Sequence, residues 1–140
     1  MPSVTSADAP SLQDLYINQK QESEVFKQGS LRVRDPYARA LLRQMAIEAD
    51  RNARVLAKDI VMTGNPLPIK ISQGGFKTPS YSYGIDVLTD SFTKTRQDIV
   101  DFKSASESTD NQKIQEDLHR MSVDKQNDAV LLGKMVDLRV

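Results

Sequence analysis

The 140-residue chain balances nineteen basic against nineteen acidic side chains, so it lacks the concentrated positive charge of a nucleic-acid binder. Without cysteine, disulfide scaffolds, thiolate metal sites and cysteine nucleophiles drop out together. No apolar run approaches the ~20 residues of a membrane-spanning helix, and no charged start leads into an apolar segment. One soluble, cytoplasmic domain is the expectation, with neither nucleic acid nor membrane as partner.

Residues 1–10 (MPSVTSADAP) are small, polar and proline-bearing, which predicts a mobile tail. Ser11 followed by Asp14 resembles a capping box and starts a first helix that runs to about Val33. Asp35-Pro36 is a second start, with Asp as N-cap and Pro where its missing N–H costs nothing. That helix runs to Met62, where Gly64 offers a left-handed cap and Pro66 and Pro68 forbid continuation. A connection as short as Arg34-Asp35 makes the two helices antiparallel neighbours. Residues 65–84 carry three prolines and three glycines without helical period; Ile69 and Ile71 alone alternate as in a short strand. Twenty extended residues reach ~66–72 Å, further than the ~37 Å of a 25-residue helix, so this segment is long enough to cross a bundle. A third helix follows over about 85–106, and Asp110 is the expected N-cap of a fourth that reaches nearly to Val140. The domain of residues 11–140 thus reads as all-α: a four-helix bundle of two hairpins joined by one long crossover.

The two hairpins share an internal repeat at an offset of 76 residues. Without a gap it pairs Glu22 with Asp98, Phe26 with Phe102, Leu42 with Leu118, Met45 with Met121, Glu48 with Asp124, Ala53 with Ala129 and Leu56 with Leu132. Two similar helix pairs about a pseudo-twofold axis are the simplest reading of that register.

Each apolar stripe is interrupted near its middle. The first helix offers Leu12, Leu15, Gln19, Glu22, Phe26, Gly29 and Val33, and the second Leu41, Met45, Glu48, Asn52, Val55, Asp59 and Met62. The third places Leu88, Thr95, Asp98 or Ile99, Phe102 and Ala105 on one face. The fourth places Ile114, Leu118, Met121, Asp124 or Lys125, Asp128, Leu132 and Met135. Because midpoints of antiparallel helices lie at one height, Glu22, Glu48, Asp98 and Asp124 are expected to converge. Four carboxylates cannot be desolvated together uncompensated, so convergence demands a cation among them. Arg43, Arg51, Arg54, Lys58, Arg96 and Lys125 are available as ion-pair partners.

Connectivity and interrupted stripes together resemble the ferritin-like superfamily, and DPYARALLRQMAIEADRNARVL is similar to the second helix of small rubrerythrin-like proteins. A looser likeness is to spore-coat-type relatives. For metal-binding members the resemblance implies a Glu from one helix and a Glu-x-x-His pair from the next in each hairpin, holding two metals. Here that motif is replaced by Glu48-x-x-Arg51 and Asp124-x-x-Asn127 in one register, or by Ala49-x-x-Asn52 and Lys125-x-x-Asp128 in the other. Neither contains histidine, and Arg51 brings a permanent positive charge to an imidazole's place. Glu116-x-x-His119 has the spacing but lies two turns off the midpoint without a counterpart, so His119 is expected at the surface.

The expectation is therefore a degenerate site with no cofactor, in a non-catalytic structural or protein-interaction module. Val61, Val130 and Leu131 lie outside the inward stripes and point to a homo-oligomer or a protein partner. The alternative is a carboxylate-only iron or manganese protein, for storage or oxidoreduction, using Glu22, Glu48, Asp98 and Asp124. A third reading is a small-ligand binder that adds Phe76, Tyr81 and Tyr83 of the crossover to the polar centre. Gly74-Gly75 lacks the strand and helix that frame a phosphate loop.

Overall fold

The computed structural model describes residues 9–65, 67 and 84–139. Most of the tail and of the crossover, with Ile69, Ile71, Gly74-Gly75, Phe76, Tyr81 and Tyr83, lies outside the described residues. The described chain forms four helices: α1 (Leu12–Ser30), α2 (Pro36–Met62), α3 (Gly84–Ser108) and α4 (Gln112–Arg139).

Local chemistry sets the ends. Ser11 Oγ accepts the Asp14 N–H at 3.0 Å while Asp14 accepts the Ser11 N–H at 3.3 Å, closing the box in both directions. The Asp35 carboxylate accepts the Tyr37 N–H at 3.2 Å, with Pro36 opening α2. At the far end Gly64 has φ +81°, and the Gly64 and Asn65 N–H groups return to the Val61 and Ile60 carbonyls, a Schellman closure that a side chain at position 64 would strain. Two boundaries differ from the sequence expectation. α1 stops at Ser30, because the Leu31 N–H turns back to Gln28 and Gly29. α4 is capped by Asn111 rather than Asp110: Asn111 Oδ1 accepts the Ile114 N–H at 3.1 Å, and the Thr109 hydroxyl accepts the N–H of Asn111 itself.

α1 packs on α2 and α3 on α4; between the hairpins, α1 faces α3 and α2 faces α4. The core is divided into two apolar clusters. One joins Phe26, Leu42, Met45, Val87, Leu88 and Leu132, and the other Leu15, Leu56, Phe102, Ile114, Leu118 and Met121. The starts of α2 and α3 thus share one end of the bundle and their finishes the other, so these helices run parallel, and Gly64 and Gly84 lie at opposite ends. Gly29 marks a close approach of α1 to α3, since a methyl group there would meet Val87 Cγ1 at 2.9 Å.

The stripes need one rotation. α2 turns inward with Ala38, Leu42, Met45, Ala49, Asn52, Ala53, Leu56 and Ile60, while Leu41, Glu48 and Val55 are half-buried and Met62 is exposed. The helix is wedged between α1 and α4, and its alanines permit contact on both flanks. In α3 and α4 the open choices settle as Asp98 and Lys125, both buried.

Candidate functional site

Between the two apolar clusters lies a polar layer to which every helix contributes. α1 brings Gln19 and Glu22, α2 Glu48 and Asn52, α3 Thr95 and Asp98, and α4 Lys125 and Asp128. The Lys125 side chain is 0 % exposed, and its Nζ lies 3.3 Å from Glu22 Oε1 and 3.5 Å from Asp98 Oδ2. It also stands 5.4 Å from the Phe26 ring centre, within range of a cation–π attraction. Gln19 knits the layer: its amide donates at 3.5 Å to both Glu22 and Asp98, and its carbonyl accepts from Asn52 at 3.2 Å. Asn18 donates to the other Asp98 oxygen at 3.3 Å. These are long hydrogen bonds, so Coulomb attraction in a poorly solvated interior outweighs hydrogen-bond geometry in holding the layer.

The charges decide its chemistry. Burial lowers a lysine's pKa, but the combined field of Glu22, Asp98, Glu48 and Asp128 reverses that and raises Lys125 above its ordinary value. Its ammonium is therefore permanently charged and unfit as a nucleophile or base at neutral pH. Burial pushes Glu22 well above its ordinary range; Asp98 adds to the rise and Lys125 opposes it. Glu48 is raised to about 8 by burial and by its hydrogen bond to Asp128, against the pull of Lys125. Burial also raises Asp128, with Glu48 and Lys125 opposing. Glu48 thus holds its proton more tightly than an ordinary carboxyl around neutrality. Glu48 Oε1, Asp128 Oδ2 and Thr95 Oγ1 are buried atoms without a hydrogen-bond partner among the described residues.

Of the four acids singled out by sequence, Glu22 and Asp98 meet on Lys125, and Glu48 meets Asp128. Asp124 is half-buried at the edge of the layer, where it acts on Glu48 and Asp128 through its charge. Sequence reasoning placed Lys125 among several available partners and did not single it out as the centre. The signal was its position four residues after Met121 on the apolar face. Glu116 and His119 are both exposed.

Metal chemistry of the kind implied by the resemblance does not fit these donors. An ammonium stands on Glu22 and Asp98, the layer contains no imidazole, and a divalent cation beside Lys125 would be repelled. Among the described residues, no group of three or more His, Asp or Glu side chains is arranged to hold a metal ion.

A second polar cluster lies toward the other end of the bundle, where Lys113 Nζ reaches Asp59 at 3.0 Å and Asp117 at 2.7 Å, with Arg120 3.6 Å from Asp117. Asp59 is raised chiefly by burial. Asp117 is lowered, because hydrogen bonds from Lys113 and Asp59 and the charges of Lys113 and Arg120 outweigh burial.

No helix among the described residues is long and apolar enough to cross a membrane. No family model, curated protein or solved structure matches the chain.

Proposed function

We propose that the chain is a ferritin-like bundle of rubrerythrin-like or spore-coat-like ancestry whose polar centre is a structural device, and that it works as a non-catalytic structural or protein-interaction module, as a homo-oligomer or with a protein partner. The observation that carries this reading is Lys125: one ammonium, tethered to α4, neutralises carboxylates from α1 and α3 where a metalloprotein would place a cation. Supporting the ferritin-like assignment are the parallel α2 and α3 and the offset repeat. Phe26 and Phe102, Leu42 and Leu118, Met45 and Met121, and Leu56 and Leu132 are all fully buried. At the same offset, Ala49 is the counterpart of Lys125 and Asn52 of Asp128, so the centre departs from symmetry where the cation enters.

The test is metal analysis of protein expressed with iron, manganese and zinc supplied. Well under one equivalent of any metal is expected, with ferrous oxidation no faster than in a Glu22→Gln, Glu48→Gln double variant. Stoichiometric metal that this variant loses would replace the proposal with the carboxylate-only metal reading.

A further inference from the structure

The outer surface of the first hairpin holds a groove of about 580 Å³ between α1 and α2. Its walls include Lys27 from α1, Leu31 just past its end, and Arg43, Ile47, Asp50 and Arg54 from α2. Leu31 is 65 % exposed and Ile47 60 %, which puts two large aliphatic side chains beside one trough. The charges around them are one-sided. Asp50 is taken by Arg54 at 2.8 Å, and among the described residues neither Lys27 nor Arg43 is in an ion pair. The sequence sets the register: Arg43, Ile47, Asp50 and Arg54 follow at steps of four, three and four, one face of a helix. Arg43 and Arg54 are thus separated along the axis by ~16 Å, three turns. Antiparallel α1 supplies Lys27 on the facing wall, and its C-cap Leu31 lies four residues further on.

We propose that this groove docks an acidic amphipathic helix of a partner protein. The inference rests on reading the chain as an interaction module and specifies which face is used and by what. A trough between two helices is the shape that a third helix fills, with apolar residues at i, i+3 or i+4 and i+7 set between Leu31 and Ile47. Carboxylates flanking that apolar patch would meet Lys27 and Arg43, forming charge-assisted contacts that a neutral or basic helix cannot make. An anionic membrane fits less well: the surface is concave, and it offers three cations, one of them paired with Asp50, where polybasic lipid sites gather roughly four to eight.

The experiment is selection of the full chain against a displayed library of helical peptides randomised on their surface positions. Enrichment of sequences whose acids flank a Leu, Ile, Met or Phe stripe is expected. The best peptide, measured by fluorescence anisotropy, should lose at least about tenfold in affinity with Ile47→Asp and with Lys27→Glu, Arg43→Glu, weaken as salt rises, and ignore Lys134→Glu on the second hairpin. All these positions are exposed, and unchanged melting of the variants confirms that folding is not what is being read. Binders that ignore Arg43 and Ile47, or that are not acidic, overturn this groove while leaving an interaction module standing. Anionic vesicles, or a second copy detected by sedimentation, bound through the same residues would overturn it in favour of that occupant. A chain that selects no binder and does not self-associate would remove both the groove and the interaction reading.

Discussion

The central layer and the cluster around Lys113 use the same parts, one lysine between two carboxylates, yet they differ in kind. The contacts of Lys113, at 2.7 and 3.0 Å, are shorter than those of Lys125, at 3.3 and 3.5 Å. The Lys113 side chain is 57 % exposed and that of Lys125 is buried. Contact distance therefore ranks the two in the wrong order. Water reaches the Lys113 ammonium and screens its end of the pair, although Asp59 is buried, whereas in the loose set the ammonium and both carboxylates are buried and have no solvent to fall back on when one member is removed.

The largest expected effect follows directly. Lys125→Met should cost ~3–5 kcal/mol at neutral pH, a fall of roughly 10–17 °C in Tm, because Glu22 and Asp98 lose their cation while still buried. The loss should shrink at pH 5, where the stranded carboxyls take up protons, and adding Glu22→Gln should recover part of it. If denaturant melts showed Lys125→Met as stable as wild type at pH 7.5, burial would not be what separates the clusters.

The next effect is a slope. Glu48 and Glu22 bind protons more tightly folded than unfolded, so the stability they contribute is full below about pH 4.5 and is lost as pH rises; for Glu48 the loss runs through about pH 8. Raised Asp59 and Asp128 act in the same direction, and Lys125 keeps its proton throughout this range. Wild-type Tm should decline between pH 5 and 9, and Glu48→Gln should flatten that decline. A Tm that climbs across the interval would contradict the sign.

At the other cluster, Lys113→Met should cost about 1–2 kcal/mol, less than the loss at Lys125, since water can take the place of a half-exposed ammonium while Asp59 stays buried. Arg54→Ala should be smaller still, within about 0.5 kcal/mol, because its pair with Asp50 lies on the surface. A loss at Lys113 comparable with that at Lys125 would erase the distinction between the two sites.

Much of the fold was legible because its signals are local. Ser11, Asp14, Asp35, Pro36 and Gly64 act on backbone groups within a few residues of themselves, and each does so where its chemistry allows. The inward face of α2 was less legible. Leu41, Val55 and Met62 weigh more in a hydrophobicity pattern than Ala38, Ala49 and Ala53, although small residues are what let a helix pack on two sides. The centre was legible as a requirement before it was legible as a residue: converging acids demand a cation. A lysine at mid-helix ordinarily reads as surface, and only the tertiary arrangement of Glu22, Asp98 and Phe26 gives Lys125 a reason to be buried. Asp124, the repeat partner of Glu48, was displaced to the edge because the helical turn that points Lys125 inward points its neighbour away.

The departure from symmetry at Lys125 also bears on how the two halves recognise each other. A pair of first hairpins would bring Glu22 against Glu22 and Ala49 against Ala49, acids without a counter-ion. A pair of second hairpins would set two Lys125 ammoniums in one unhydrated seam, each with its own Asp98 but without the carboxylate that Glu22 supplies. Only the unlike pair places one ammonium among the carboxyls. If the chain were divided between Gly64 and Gly84, the fragments should therefore prefer each other to themselves, and Lys125→Ala should blunt that preference more than it weakens either fragment alone.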